Sequence, residues 1–171
     1  MLNPYEDGIT HINIYSRSKT DLGRFLTNFA YCPIETEDGR FNSIEGYWGY
    51  LGINENIPQR ERLRDLYGYN AKKFKEDLYK LDNSGRFDER FEEKITKAVL
   101  AKLSSPKGQK ILEENRDLLN LPLEHYYCFF SKKDNTKYNL IDVKHKYEFF
   151  VNAIKTGIDN FLEKDKTIDL E

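Results

Sequence analysis

The sequence is poor in the features that announce a chemistry by themselves. It has two cysteines, Cys32 and Cys128, far apart in the chain, and three scattered histidines. That argues against a disulfide framework and shows no metal-ligand spacing. The reading is free, mostly buried thiols in a reducing cytosol. There is no phosphate loop, no dinucleotide fingerprint and no nucleophile elbow with ordered Ser, His and Asp. No apolar run approaches the ~18 residues of a membrane span. Met1 to Gly8 lacks the basic and apolar regions of a signal peptide. The net charge of −2 gives no basic excess for scanning nucleic acid, although a local basic pocket stays open. Repeats, low-complexity tracts and internal linkers are missing too.

What is present is a globular balance, 39% hydrophobic and 33% charged residues, at the size of one domain spanning 1–171. Such a chain buries about two-thirds of its unfolded surface. Twelve Tyr, eleven Phe and one Trp predict a core rich in rings, whose buried hydroxyls need partners. Alternation over His11 to Tyr15 suggests a strand. Asp21 to Asn28 reads as a Gly- and Asn-bearing loop, and Tyr31 to Ile34 as extended. Glu37-Asp38-Gly39-Arg40 is a turn. Asn42-Ser43 offers an N-cap for a helix to about Leu51. Gln59 to Tyr67, Asn70 to Leu81 (capped by Asn70) and Phe87 to Leu103 read as helices, and Pro106 opens another to about Leu119. His125 to Phe130 fits a buried strand, and Val143 to Leu162 an amphipathic helix, with a frayed tail from Lys164. The expected fold is α+β, helix-dominated, with a small sheet.

Four features could carry chemistry. Glu45 stands in the first turn of a helix beside Trp48, Tyr47 and Tyr50. Rings around a carboxylate suit a flat base or a ribose, with Glu45 as acid, base or electrostatic partner. A glutamate there also suits a helix N-terminus, as a dipole or capping partner. Lys102 falls roughly 20° from Phe91 on a wheel of 100° per residue, in the middle of the apolar stripe. A lysine so placed is partly desolvated and can offer an amine lone pair to a sugar carbon as a Schiff base. Near a helix end it can equally snorkel to solvent. His125, entering the late strand, could titrate near neutrality or orient a phosphate, or be a satisfied core histidine. Arg17 and Arg24 bracket a loop and could meet phosphate oxygens, or be ordinary solvated cations. Gln59 to Asp65 reads as a solvated mixed-charge helix face.

These residues resemble a known family. Gly23-Arg24-Phe25-Leu26-Thr27-Asn28-Phe29-Ala30, then Pro33-Ile34, then Asp38 to Glu45 look like the signature of the NADAR (YbiA-like) family, with Thr27 where serine is usual. Ala101-Lys102-Leu103 and Leu121 to Tyr127 are similar to its later motifs, so the likeness runs from Tyr15 to Tyr127. Members are N-glycosidases. Some cleave ribosylamine intermediates of riboflavin biosynthesis, and others remove ADP-ribose from modified guanine. The resemblance implies a YbiA-like fold and an N-riboside hydrolase without a cofactor. Glu45 would handle protons and Lys102 would trap the opened ribose as an imine. Arg17, Arg24, Asn28, Phe29, Tyr47, Trp48, His125 and Tyr126 are the substrate-binding candidates. The implied partner is a small-molecule or nucleic-acid-linked ADP-ribose, with no membrane and no stable protein partner. Non-catalytic binding of NAD or ADP-ribose is the alternative outside enzymes. Two departures point away from the riboflavin branch. Gly52 stands where that branch has lysine, and Lys132-Lys133-Asp134-Asn135 replaces its Trp-Gly-Asp. Ile44-Glu45-Gly46-Tyr47-Trp48 looks more like the branch associated with ADP-ribosyl substrates.

Overall fold

The structure, a computed structural model, describes residues 1–82 and 88–170, with side chains through Lys164. In chain order the elements are β1 (Ile12–Asn13), α1 (Asp21–Leu26), β2 (Ile34–Thr36), β3 (Gly39–Phe41) and α2 (Ile44–Gly52). A 3-10 segment (Pro58–Asp65), α3 (Gly68–Leu81), α4 (Phe91–Ser104) and α5 (Pro106–Glu114) follow. The chain closes with β4 (Leu123–Glu124), β5 (Tyr126–Phe130), β6 (Tyr138–Asp142) and α6 (Glu148–Leu170). The fold is helix-dominated α+β, as expected.

The core forms where α4 meets α6. Ile95, Ala98, Val99 and Leu103 of α4 share one buried cluster with Phe150, Val151, Ile154 and Ile158 of α6. Each buried Val, Leu or Ile contributes ~1.5–3 kcal/mol relative to exposure. This is the 3.6-residue stripe read from the sequence, and it carries Lys102 inward with it, 2% exposed. Phe87, the expected start of α4, lies outside the described residues. Among those described, no helix is long and apolar enough to cross a membrane.

Among the described residues the strands form three two-stranded pieces instead of one small sheet. β1 pairs parallel with β4, β2 antiparallel with β3, and β5 antiparallel with β6. A side chain joins the first and last. Asn13 Nδ2 donates to the Tyr126 carbonyl at 3.0 Å, and the Tyr126 amide donates to Asn13 Oδ1 at 2.9 Å. The amide side chain acts as one more peptide in the ladder.

Several local expectations are corrected. Asp21 to Leu26 is a helix, not a loop. Thr20 Oγ1 accepts from the Gly23 amide, and Leu22, Phe25 and Leu26 bury one face. The segment from Pro58 is 3-10 and stops at Asp65. α3 begins at Gly68, not behind an Asn70 cap. Its first amide donates to the Phe29 carbonyl at 2.9 Å, which takes the place of a side-chain cap. α5 ends at Glu114 and gives way to a 3-10 turn at Arg116–Leu118. α6 starts at Glu148 and continues to Leu170 where fraying was expected. β5 is buried only at Tyr126 and Cys128, because it pairs with β6 alone and runs outward, leaving Phe129 and Phe130 exposed. Both cysteines are free and buried.

Candidate functional site

The N-terminus of α2 is fixed from three sides. Ser43 Oγ accepts from the Gly46 amide at 3.0 Å and donates to the Leu66 carbonyl at 2.9 Å. The Glu45 amide donates to the Asn28 carbonyl at 2.9 Å. A Cβ on Gly46 would stand 2.4 Å from the Leu63 carbonyl oxygen, so only glycine lets α2 lie this close to the 3-10 segment. The result is a glutamate, 5% exposed, with its carboxylate at a cleft of about 560 Å³.

The walls of that cleft come from six parts of the chain. Tyr15, Ser16 and Arg17 follow β1, and Thr27, Asn28 and Phe29 follow α1. α2 contributes Glu45 and Trp48, three residues apart on one face, and α3 contributes Tyr69, Lys72 and Lys75 at the same spacing. His125, Tyr127 and Phe129 alternate along the last hairpin, while Tyr147 and Phe150 lead into α6. Trp48 is held by rings. It stacks on Phe149 at 5.7 Å and meets Tyr147 and Phe91 edge-on at 5.6 and 4.8 Å between centroids.

Glu45 has a partner. Lys75 Nζ donates to its Oε1 at 2.8 Å, and the two side chains are 16% and 7% exposed. The lysine stem reaches across α2 at Gly49, where a Cβ would stand 2.9 Å from Lys75 Cγ and 3.1 Å from Cδ. Gly49 is one helical turn beyond Glu45, so the missing side chain opens the path by which α3's amine reaches α2's carboxylate.

Two buried polar atoms on the cleft wall, Asn28 Oδ1 and His125 Nδ1, have no partner among the described residues. Such atoms are uncommon and each invites a ligand or water. The His125 ring lies among Tyr127, Tyr147 and Phe150 and is 9% exposed. Burial lowers its pKa to about 4, against a smaller upward pull from Asp142, so the imidazole is neutral at neutral pH. Burial also raises the Tyr127 hydroxyl. At neutral pH the inner wall therefore presents neutral donors and acceptors, with charge confined to Glu45, Lys75, Lys72 and Arg17.

The other candidates lie off the cleft. Lys102 Nζ donates to the Thr27 carbonyl at 2.8 Å and sits 4.7 Å from the Phe25 ring centroid. It lies behind the Thr27 wall, and burial lowers its pKa to about 7. The choice between burial and snorkelling is thereby settled in favour of burial. Tyr47 turns away, its hydroxyl donating to Asp38 Oδ2 at 2.7 Å beside a separate hollow of about 200 Å³. Tyr126 belongs to the N-terminal core, its hydroxyl 2.6 Å from His11 Nε2. Arg24 donates to the Ser18 carbonyl and pairs with Asp21 on its own helix. Arg17, Asn28, Phe29, Glu45, Trp48 and His125 are brought together. Sequence reading missed α3's face, and above all Lys75. The i, i+3, i+6 spacing of Tyr69, Lys72 and Lys75 was the signal available.

No protein-family model matches this sequence, and no curated protein matches it. Its structure is similar to the NMR structure of the E. coli protein YbiA, with a TM-score of 0.51 and 17% identity, over 99% of this chain and 96% of that one. At that identity the likeness is one of fold. The chain has a YbiA-like, helix-dominated α+β fold.

Proposed function

We propose that this protein hydrolyses an N-ribosidic bond and that its substrate is an ADP-ribosylated base such as guanine. The observation that carries the reading is the buried Glu45 carboxylate, paired with an amine, at a ring-walled cleft of about 560 Å³. Cleaving such a bond builds positive charge on the anomeric carbon and negative charge on the departing base. A fixed carboxylate answers the first, and its acid form can protonate the second. Trp48, Phe29 and Tyr127 offer faces for a flat base. Arg17 and Lys72, exposed at the cleft, suit a diphosphate. Asn28 Oδ1 and His125 Nδ1 await groups that carry hydrogen-bond partners. Leaving such atoms unpaired costs about 1–3 kcal/mol, which the right ligand restores.

The resemblance to the NADAR family names the reaction. The Ile44 to Trp48 wording and Gly52 favour ADP-ribosyl substrates over riboflavin intermediates. The resemblance also gives the imine to Lys102. Its amine is enclosed and bonded to Thr27, so we give Lys102 the role of holding the Thr27-Asn28-Phe29 wall.

The test is a comparison of two substrates, a single-stranded oligonucleotide carrying ADP-ribosylated guanine and the ribosylaminopyrimidine phosphate, with released sugar followed by chromatography. Release of ADP-ribose from the first supports the proposal. Release from the second alone identifies the riboflavin-type activity. Release from neither, with a thermal shift on adding ADP-ribose, identifies a binding module and removes the enzymatic reading.

A further inference from the structure

The β5–β6 hairpin has one open edge. β6 pairs with β5 along its whole length and, among the described residues, with nothing else. The Ser131 amide donates to the Lys137 carbonyl at 2.8 Å, and the Val143 amide donates to the His125 carbonyl at 2.9 Å. Odd-numbered residues of β6 therefore turn their peptide groups toward β5, and Tyr138, Leu140 and Asp142 turn theirs outward. Among the described residues no hydrogen bond reaches those outward groups. Leu140 is half-buried and the rest of the strand is exposed. Natural sheet edges are blunted by proline, by charge along the strand or by a covering element. Here the charges, Lys137 and Asp142, stand only at the two ends, with Tyr138-Asn139-Leu140-Ile141 uncharged between them.

We infer that a second copy of this chain binds at this edge, β6 against β6, antiparallel about a twofold axis through Leu140. In that register Tyr138 stands opposite Asp142 of the second copy, and Leu140 stands opposite its own counterpart. Each such pair exchanges two hydrogen bonds, so every outward peptide group finds a partner. Sliding by two residues leaves outward groups unpaired at the strand ends, and sliding by one sets them against residues turned the other way. The side chains are self-complementary as well. The Tyr138 hydroxyl meets a carboxylate, the two Leu140 side chains meet each other, and Asn139 meets Ile141 on the opposite face. Antiparallel pairing also sets the Lys137 end of each strand beside the Asp142 end of the other, so unlike charges adjoin. A foreign strand could use the same amides, but this match of ends and of outward pairs belongs to the strand and its own copy.

The pairing joins two hairpins into one four-stranded sheet, in the order β5-β6-β6-β5. A lone two-stranded hairpin is marginal in water, and this one carries His125, Tyr127 and Phe129 into the cleft. Ile141 and Asn139 lie in register with Tyr127 and Phe129 and share their face. A twofold axis perpendicular to the sheet keeps that face on one side. Both clefts then open on the same side of the dimer, with the two β5 strands about 14 Å apart by strand spacing. The inference does not depend on what the cleft binds.

Sedimentation velocity on the full chain, at concentrations up to about 100 μM, reads the assembly. A dimer that dissociates on dilution is expected. Leu140→Pro removes the amide on the axis and sets a ring against the second copy, yet leaves every backbone bond to β5 in place. Its dimer Kd should rise at least about tenfold while circular dichroism and Tm match wild type. Leu140→Lys, which sets two ammonium groups across the axis, should weaken the dimer equally and covers the case in which proline disturbs the hairpin. Cysteine cross-linking reads the register, since both native thiols are buried. Under oxidation Leu140→Cys should close a disulfide-linked dimer at least about ten times faster than Tyr138→Cys, whose two copies lie four residues, roughly 13 Å, apart along the strands. A monomer at every concentration assigns the edge to a foreign strand and overturns the inference. A dimer indifferent to both Leu140→Pro and Leu140→Lys, or equal cross-linking at the two positions, overturns it too.

Discussion

Replacing Lys102 with methionine tests whether the core holds a neutral amine. The side chain is 2% exposed, and burial lowers its pKa from the ordinary 10.5 to about 7. In the unfolded chain the amine keeps its proton up to pH 10.5. In the folded protein it gives the proton up near 7. Between those values folding expels a proton, so wild-type stability rises with pH there, by up to about 5 kcal/mol over the whole interval. Methionine has nothing to titrate and lacks this rise. It leaves the Thr27 carbonyl without its partner, a loss of about 1–2 kcal/mol at every pH. The stability of Lys102→Met minus that of wild type should therefore fall by roughly 2–3 kcal/mol from pH 7 to pH 9. Urea unfolding followed by fluorescence of Trp48, the chain's one tryptophan, measures both proteins. Parallel stability curves would refute the reasoning, since they would mean that the buried amine keeps its charge when folded.

Other perturbations read other parts of the structure. His125 is buried neutral, with its pKa lowered from 6.5 to about 4, so folded-state stability falls as pH drops through that interval. By pH 4 the fall reaches about 3 kcal/mol, and His125→Phe should remove it from the acid limb of urea unfolding. Gly49→Ala places a methyl 2.9 Å from Lys75 Cγ, in a helix where alanine is intrinsically favoured by ~1 kcal/mol. The lysine stem must move, so Tm should stay within a few degrees of wild type while N-riboside cleavage drops at least about tenfold. Unchanged cleavage by Gly49→Ala would show that the Lys75–Glu45 contact is dispensable.

Much of this arrangement was legible in the sequence because it is local. The Ser43 cap, the Pro106 helix start and the inward face of α4 follow from spacing over one or two turns, and that spacing buried Lys102. α1 was obscured by Gly23, which lowers helix propensity, although Thr20 and the Leu22, Phe25, Leu26 face were there to find. The start of α3 depends on the Phe29 carbonyl, a contact 39 residues distant that no local pattern carries. Tyr47 sits two residues from Glu45, but α2 turns it toward Asp38, about 200° around the helix. Lys75 looks like its neighbours Lys72 and Lys73 until α3 docks on α2, and Gly49 acquires meaning only then. The Glu45–Trp48 face followed from helical spacing, and Arg17, Asn28, Phe29 and His125 from charge, motif and resemblance, whereas the α3 face of Tyr69, Lys72 and Lys75, brought in by packing between helices, was not found.

The most direct measurement is single-turnover release of ADP-ribose from an oligonucleotide carrying ADP-ribosylated guanine, comparing wild type with Glu45→Gln at neutral pH. The substitution keeps the volume of the side chain and removes its ability to give and take a proton. Rapid release by wild type and at least about a 100-fold slower rate for Glu45→Gln are predicted. Equal rates for the two proteins, or no release by wild type, would contradict the assignment of Glu45 as the group on which the cleft's chemistry turns.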